Sequence, residues 1–261
     1  MHGALFVAKT GLSAQDTSLK VISNNLANVS TVGFKKDRAV FEDLLYQIRR
    51  QPGADSAQGT QLPSGLQLGN GVRTVSTQKL FQNGELQITG EAFDVAINGR
   101  GFFQVTTPNG EIAYTRNGQF HLNGNNELVT PEGYLIEPAV TFPAEVQTFT
   151  VGVDGTVEVV VAGDPNPVQL AQLQIADFVN PAGLQAIGQN LFIETAASGA
   201  PQLANPGDAG TGVLQQGVLE ASNVNAVEEL VNMITTQRAY EINSKVISTA
   251  DEMLSYVSQQ L

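Results

Sequence analysis

The chain has 261 residues, no cysteine and a formal net charge of −12. The absence of thiols excludes disulfides, thiolate metal sites and a cysteine nucleophile. The charge is uneven, because residues 1–50 carry seven basic and four acidic side chains, whereas residues 101–220 carry Arg116 and twelve acidic ones. Such an acidic middle disfavours nucleic-acid binding, which needs a basic surface.

The hydropathy of the chain and its first residues bear on localisation. No apolar run reaches the roughly 18 residues of a membrane span, so we expect no direct membrane insertion. The first eight residues lack the basic start and the apolar length of a secretory signal. If the protein leaves the cytoplasm, we therefore expect export without a cleaved signal peptide.

Residues 4–29 are predicted to form a helix, because apolar positions recur in alternating steps of three and four. That spacing is typical of the seam of a coiled coil. Asn28 and Gly33 end the pattern, and a glycine there suits the positive φ of a terminating turn. The predicted seam contains Leu5, Ala8, Leu12, Gln15, Leu19, Ile22, Leu26 and Val29.

Residues 34–90 form the next segment, which we predict to be an extended linker or long-hairpin region. Its polar tract between residues 46 and 70 has no helical or strand periodicity. Such a tract is typical of an extended loop or a long hairpin, and the sequence leaves both open.

Residues 91–205 are predicted to form an antiparallel β-rich outer domain, followed by a return segment at 206–224. Short alternating stretches are separated by four dipeptides that suit tight hairpin turns. This density favours antiparallel meanders over parallel strands joined by helices. The four dipeptides are Asn109–Gly110, Asn117–Gly118, Asn123–Gly124 and Asp154–Gly155.

Residues 225–261 return to a helical pattern. Asn225 precedes it as a candidate cap, with Glu228 three residues later as in a capping box. After Arg238 the apolar spacing departs from a heptad, which locally unwinds a supercoil. The apolar positions are Val227, Leu230, Val231, Ile234, Ile242, Val246 and Met253.

The predicted fold class is α+β, with the N- and C-terminal helices pairing as a coiled-coil-like stalk. Pairing is the simplest way to cover both seams. Each buried Leu or Ile contributes about 1.5–3 kcal/mol, whereas ordering costs about 1–2 kcal/mol per residue in backbone alone. A lone pair should therefore be marginal, and helices packed among further copies should not be.

An enzyme is not expected. The two histidines, His2 and His121, are not spaced as a metal-binding or catalytic pair. Gly99–Arg100–Gly101 begins like a dinucleotide fingerprint, but Gln104 stands where the third glycine belongs, which favours a strand-connecting turn. We predict no catalytic residue, no metal site and no cofactor.

Three motifs carry a resemblance to a known family. They are residues 8–15 with 22–35, residues 94–103, and residues 222–245 with the stretch Gln237–Arg238–Ala239–Tyr240–Glu241. Together and in this order they resemble the bacterial flagellar rod and hook family. The segments at 41–53 and 62–69 are similar to the insertion of its distal-rod members.

The resemblance implies a role as well as a fold. It implies export through the flagellar export apparatus and helical polymerisation into the straight distal rod, a drive shaft that crosses the periplasm and transmits motor torque to the hook. Implied partners are further copies, proximal-rod and hook or hook-junction proteins, and the periplasmic and outer-membrane rings as bushing. The terminal helices at 1–33 and 225–261 would lie near the axis.

Candidate interface residues follow from the seams and the motifs. An asparagine cluster, Asn24, Asn25 and Asn28, suits either helix termination or hydrogen bonds between subunits. Arg238 and Tyr240 suit a solvated helix face in the single chain or, in a packed tube, burial with paired partners. The remaining candidates are the seam positions above except Ala8. Within the insertion, Gln51, Pro52, Gly53, Leu62 and Pro63 are the residues expected to stiffen a rod.

One alternative belongs to another class of protein. The acidic β-rich middle could be an adhesin or envelope-binding module carried on a helical oligomerisation stalk. Helices that are protease-sensitive in the dilute chain and protected in a polymer would favour the rod subunit, whereas helices stably docked in the single chain would favour the module.

Overall fold

The computed structural model describes residues 2–53, 55–57, 60–61, 63–143, 146–162 and 164–259. The chain divides into two compact units, each assembled from segments distant in sequence. The helical unit comprises Met1–Ala27, Asp37–Gln78 and Asn225–Leu261, and the β unit comprises Asn28–Lys36 and Lys79–Val224. The β unit contains the predicted outer domain and also residues 79–90 and 206–224.

Two helices and six short strands build the helical unit. The helices are α1, His2–Ala27, and α2, Ala226–Gln259. The strands are β1, Asp37–Asp43; β2, Gln47–Arg50; β3, Asp55–Ala57; β4, Thr60–Gln61; β5, Leu66–Leu68; and β6, Val72–Lys79. Within the described part of the chain, neither helix is both long and apolar enough to cross a membrane.

The helix α2 is continuous over 34 residues, roughly 50 Å of helix. Its start is the predicted one, because the Asn225 side chain accepts hydrogen bonds from the backbone N–H groups of Val227, at 3.0 Å, and Glu228, at 3.3 Å. These bonds satisfy two of the donors that every helix leaves unpaired at its N-terminus. Near Arg238 the apolar spacing departs from a heptad, but the helix itself is not interrupted there.

The polar tract between residues 46 and 70 is a long hairpin. Strand β2 pairs antiparallel with β5, placing Gln47 opposite Leu68, and β3 pairs with β4 nearer the tip. Strands β1 and β6 form a two-stranded sheet at its base. A two-stranded ribbon is marginally stable alone, so this hairpin depends on what covers it.

Sixteen strands build the described part of the β unit, with a single turn of 3₁₀ helix at Pro181–Gly183. They are β7, Leu86–Ile88; β8, Val95–Asn98; β9, Phe102–Thr106; β10, Ile112–Thr115; β11, His121–Leu122; β12, Leu128–Val129; β13, Leu135–Glu137; β14, Val146–Val151; β15, Thr156–Val161; β16, Asp164–Gln172; β17, Ile175–Asp177; β18, Gln185–Gly188; β19, Leu191–Ile193; β20, Gln202–Ala204; β21, Val213–Gln216; and β22, Val218–Glu220.

The pairing of these strands is antiparallel, which confirms the predicted fold class. The main sheet runs β11-β12-β13-β9-β10-β19-β18, with β17 and β20 attached at β9, and β14-β15-β16 form a second sheet. The last strands return to the first, because β21 pairs with β8 and β22 with β7. Residues near position 220 are thereby placed beside the start of the unit.

The core of the β unit is apolar and aromatic. Its larger cluster holds residues of both sheets and of the β8–β21 pair, including Val95, Val105, Val157 and Leu214, each fully buried. A smaller cluster is aromatic, with Phe102, Tyr114, Phe178 and Phe192. Edge-to-face contacts organise it, for example between Tyr114 and Phe178, whose ring centroids lie 4.9 Å apart.

The four predicted turn dipeptides differ in their backbone conformation. Gly110 and Gly155 take φ values of +81° and +88° in hairpins, as expected. In the Asn123–Gly124 hairpin the positive φ falls instead on Asn126, at 60°. The prediction was wrong for Gly118, which is needed for space, because a Cβ there would lie 1.7 Å from the Val95 carbonyl oxygen.

Candidate assembly surface and a buried ionic cluster

Most of the deeply buried residues of α1 and α2 have small or polar side chains. The buried positions include Ala8, Ala14 and Ile22 on α1, and Thr236 and Ala250 on α2. A Cβ added at Gly11 would lie 3.0 Å from the Asn243 side-chain nitrogen, so the helices approach closely. Side chains of this size each bury little apolar area.

A buried hydrogen-bond group holds one end of this contact. The Asn25 side chain donates to the Asp37 carbonyl oxygen at 2.9 Å and accepts from the Asp37 backbone N–H at 2.9 Å. It also donates to the Glu229 carboxylate at 3.4 Å. Asn25 is therefore occupied within its own chain, where it joins α1, β1 and α2.

The predicted seam of α2 is not the face that α1 covers. The apolar residues named from the sequence lie on the opposite side of the helix, and the pair is covered through the row of Glu229, Thr236 and Ala250. The expectation that pairing covers both seams was therefore wrong for α2. Thr236 and Ala250 are also separated by a multiple of seven residues, and their small side chains allow the two helices to approach closely.

The uncovered apolar residues of α2 form a stripe that is interrupted near Arg238, here called the α2 stripe. Its members have large exposed fractions: Val227 70%, Leu230 46%, Val231 54%, Ile234 50%, Ile242 64%, Val246 44% and Met253 51%. Arg238 is exposed within the stripe, and Tyr240 is exposed on a different side of α2. A surface helix normally carries one apolar stripe, whereas α2 has a covered face and an uncovered apolar face.

The candidate residues of α1 are placed less uniformly. Ile22 and Asn25 are buried within the chain, and Asn24 is exposed. The others are half-buried, and they are Leu5, Leu12, Gln15, Leu19, Leu26, Asn28 and Val29.

The hairpin and the first turn of α1 expose a second apolar area. Leu45 is 89% exposed, and Tyr46 and Ile48 are also more than half exposed. An open groove of about 870 Å³ lies beside them, lined by Phe6 and Leu44 among others. Contiguous exposed apolar surface is typical of interaction sites.

The proposed stiffening residues lie on the hairpin. Gln51, Pro52, Gly53 and Pro63 are exposed, and Leu62 lies outside the described residues. Gly53 takes a φ of +78°.

An ionic cluster inside the β unit was not predicted from the sequence. Glu220 lies between two cations, with its Oε1 2.6 Å from Lys35 Nζ and its Oε2 3.0 Å from Arg116 Nε. All three side chains are buried, at 3% exposure or less. Gly84 donates its backbone N–H to Glu220 Oε1 at 2.8 Å.

Backbone carbonyl groups complete the cluster. Lys35 donates to the Gln82 carbonyl at 2.7 Å, and Arg116 donates to the carbonyls of Gly99 and Gly101 at 2.9 and 2.8 Å. One sequence signal pointed here, since Arg116 is the lone basic residue of a 120-residue acidic stretch. A basic residue isolated in so acidic a stretch is a candidate for a buried ion pair, and Arg116 forms one with Glu220.

The protonation of Lys35 reflects this crowding. Burial, together with the positive charge of Arg116, lowers the pKa of Lys35 to about 8, and the attraction of Glu220 only partly opposes this. Burial also lowers the pKa of Arg116 from its usual value, against the stabilising effect of Glu220. Two buried cations therefore share one carboxylate, and the cluster holds an excess positive charge.

The residues considered for catalysis are placed apart from these features. His121 is exposed on β11. Gly99 and Gly101 form the turn between β8 and β9, with φ values of +125° and +128°. Across the described ranges, no three His, Cys, Asp or Glu side chains are grouped so that they could hold a metal ion.

Comparison with protein families yields three matches along the chain. Residues 5–35 match the family described as flagella basal body rod protein, and residues 96–159 match the flagellar hook protein FlgE/F/G D1 domain. Residues 215–260 match the C-terminal family of flagellar basal body rod FlgEFG proteins. These matches coincide with α1, the first sheet strands and α2.

Whole-chain relatives agree with the family matches. A flagellar basal-body rod protein FlgG of Buchnera aphidicola from Schizaphis graminum is 56% identical over 259 residues, covering 99% of this chain and 100% of the relative. The FlgG of Caulobacter vibrioides is 49% identical, with 98% of each chain covered. The FlgG of Bacillus subtilis is 39% identical, with 97% of each covered.

None of these relatives is named as an adhesin or as an enzyme, so the adhesin alternative has no support. The identities extend over nearly the full length of both partners, including the helices and the hairpin. The chain belongs to the family of flagellar basal-body rod proteins, a structural family.

Proposed function

We propose that this chain is the structural subunit that polymerises helically into the straight distal rod of the flagellum. In that role it forms a drive shaft that transmits motor torque to the hook, without catalysis. The observation that carries the proposal is the α2 stripe, which is apolar and uncovered on the side of α2 that α1 does not reach.

The α2 stripe supports self-assembly on energetic grounds. Covering an exposed Val, Leu or Ile contributes about 1.5–3 kcal/mol, and the stripe extends along most of a 34-residue helix. An interface whose two surfaces differ and whose rotation does not close generates a helical filament. A further copy of the chain supplies such a surface at every step of growth.

The interface proposal applies to the sequence candidates that the chain leaves accessible. On α2 these are the α2 stripe, Arg238 and Tyr240. On α1 they are Asn24 and the half-buried residues Leu5, Leu12, Gln15, Leu19, Leu26, Asn28 and Val29. Ile22 and Asn25 already have partners in their own chain, and we assign them to holding the subunit together.

The proposed surroundings follow from this role. Proximal-rod proteins would adjoin one end of the polymer and hook or hook-junction proteins the other, with the periplasmic and outer-membrane rings as bushing. The flagellar export apparatus would deliver the chain unfolded and without a cleaved signal peptide. The rod would span the periplasm within the basal body.

A matched pair of substitutions in the full chain tests the proposal. Ile242→Asp places a charge in the α2 stripe, and Ser244→Asp places the same charge on an exposed position two residues away. We expect Ile242→Asp to leave the helical circular dichroism of the single chain unchanged and to remove the protein from isolated basal bodies. Ser244→Asp should assemble as the unsubstituted chain does.

Two results would count against the proposal. An unsubstituted chain that is absent from isolated basal bodies would remove the assigned location. Rods of normal length built from Ile242→Asp subunits would show that the α2 stripe lies outside the interface.

A further inference from the structure

The β unit contains a pocket of about 260 Å³ near the turn between β8 and β9. Phe81 and Phe102 provide an aromatic wall, and Arg100 and Asp177 stand at its rim. Arg116 of the ionic cluster also lines the pocket. A water molecule occupies about 30 Å³ of liquid, so the pocket has room for a side chain and several waters.

The charge of the pocket is opposite to that of the unit around it. The segments of the β unit contain five basic and fifteen acidic side chains, a formal charge of −10. Beside the pocket, however, the ionic cluster combines Lys35 and Arg116 with the single carboxylate of Glu220. Arg100 and Asp177 form a neutral pair, with 3.0 Å between Nη2 and Oδ2. The pocket is therefore locally positive.

The excess charge is not balanced from within the cluster. The pKa of Lys35 is lowered to about 8 because burial and the nearby Arg116 outweigh the attraction of Glu220. The guanidinium of Arg116 already donates to Gly99, Gly101 and Asn83, so an anion in the pocket would act on it through charge, lowering the electrostatic cost of the second buried cation.

Arg100 is suited to receive that anion. It is one of the five basic residues of the β unit. Its side chain is 65% exposed, whereas the other four are less accessible: Lys36 and Lys79 are half-buried, and Lys35 and Arg116 are buried. A guanidinium carries five N–H donors in a planar fork, so its contact with Asp177 through Nη2 leaves donors for a second carboxylate.

We propose that this pocket binds a carboxylate, and that in the polymer an acidic side chain on the β unit of a neighbouring copy supplies it. The proposal rests on the assembly role proposed above. Copies of a unit with a charge of −10 repel each other within the screening length of about 8 Å at physiological salt. A cationic pocket facing the acidic surface of the next copy turns one of these repulsive contacts into an ion pair.

The first arm of the test uses the soluble full-length chain and acetate as the probe. Acetate is titrated against chloride at constant ionic strength, and the Nε–Hε resonances of the arginines are followed by NMR. We expect saturable shifts at Arg100 and Arg116, with an affinity about tenfold weaker in Arg100→Gln, since one charge-assisted hydrogen bond is lost. Asp177→Asn should bind acetate more tightly, because it removes the competing carboxylate.

The second arm measures assembly in cells. Arg100→Gln should lower the number of rods, and Arg38→Gln, which removes an exposed cation from the helical unit, is the charge-matched control. Absence of acetate shifts in the unsubstituted chain would overturn the pocket. Acetate shifts together with normal rods from Arg100→Gln would overturn the neighbouring copy as the source.

The two proposals fail in distinguishable ways. An unsubstituted chain that never enters rods contradicts the proposed function. Rods that form equally well with Arg100→Gln contradict the carboxylate contact and leave the rod assignment standing.

Discussion

Glu220 is the buried carboxylate that joins two cations inside the β unit. Its carboxylate contacts Lys35 and Arg116 within 3.0 Å, and β22 carries it back to the start of the unit. A buried cation that loses its partner costs several kcal/mol, because it stays desolvated without compensation. This one side chain therefore joins sequence positions 35, 116 and 220.

We expect Glu220→Gln to lower the free energy of unfolding of the β unit by about 3–5 kcal/mol. Urea unfolding followed by tyrosine fluorescence measures this change. Glu132→Gln, at an exposed position, is the control with the same change of charge and should shift the free energy by less than about 0.5 kcal/mol. Equal effects of the two substitutions would show that Glu220 is not the counterion of the cluster.

The lowered pKa of Lys35 makes the stability of the protein depend on pH. Its folded pKa of about 8 lies below the ordinary lysine value of 10.5, so the unfolded chain binds more protons between these values. Stability therefore rises as the pH increases through this window, with a contribution from Lys35 of at most about 1.4 kcal/mol per pH unit. Below pH 8 the strain of the protonated lysine is fully present.

The measurement is the free energy of unfolding between pH 7.5 and about 10, compared between the unsubstituted chain and Lys35→Met. The substituted chain keeps the pairing of Arg116 with Glu220 and loses the titrating amine. We expect the difference between the two pH slopes to be positive in this window. Parallel curves would show that Lys35 titrates as a solvated lysine does.

Among the elements, the turn that follows α1 is constrained at Gly33. Its φ is +69°, and its N–H donates to the Glu220 carbonyl oxygen at 2.8 Å. A Cβ at this position would come within 2.7 Å of the Arg116 backbone carbon. The glycine is therefore required twice, for its backbone conformation and for the close approach of two chain segments.

Gly33→Ala should destabilise the β unit by more than the roughly 1 kcal/mol of left-handed strain alone. Gly110→Ala is the matched control, because Gly110 has a φ of +81° but no heavy atom within 4 Å of an added Cβ. Thermal unfolding of the two variants separates the steric cost from the conformational one. A Gly33→Ala chain as stable as Gly110→Ala would mean that the Arg116 backbone moves aside freely.

The two helices differ in how they meet their surroundings. Helix α1 is covered through alanines, Ile22 and Asn25, and α2 is covered through Glu229, Thr236 and Ala250. The apolar residues of the α2 stripe remain outside this contact, whereas Met233, Ile247 and Leu254 are half-buried. The single chain is therefore helical at both ends and leaves the α2 stripe uncovered.

At the scale of the whole molecule, the hairpin is the feature we connect with rod stiffness. It extends from β2 to β5. Leu45 and Tyr46, which directly precede β2, are exposed, and so are Ile48 within β2 and Gln51–Gly53 after it. A ribbon with apolar residues on its surface gains stability only when a neighbouring surface covers it. We propose that neighbouring subunits do so in the rod.

Deleting residues 51–63 should leave export intact and give a filament that is curved or flexible, because the contact between neighbouring subunits is shortened. Electron microscopy of isolated basal bodies measures the curvature, and the amount of protein exported is the control for delivery. A straight, rigid rod from the shortened chain would refute the stiffening role of the hairpin.

By itself the sequence determined the order of elements, since helical periodicity, turn dipeptides and a second helical stretch follow one another along the chain. It also indicated the family, because the motifs at both ends and near residue 94 occur together. Asn225 as a cap and Gly33 as a stop were predictable, because both act on neighbouring backbone groups. These are properties of local sequence.

Only the tertiary structure decided which face of α2 is covered, because periodicity locates an apolar stripe but not the partner that covers it. It also showed that the tract at 46–70 is a hairpin, which depends on pairing between residues about twenty apart. Above all, it brought Lys35, Arg116 and Glu220 together. Their separations in sequence carry no periodic signal, and only the return of β21 and β22 to the first strands makes them neighbours.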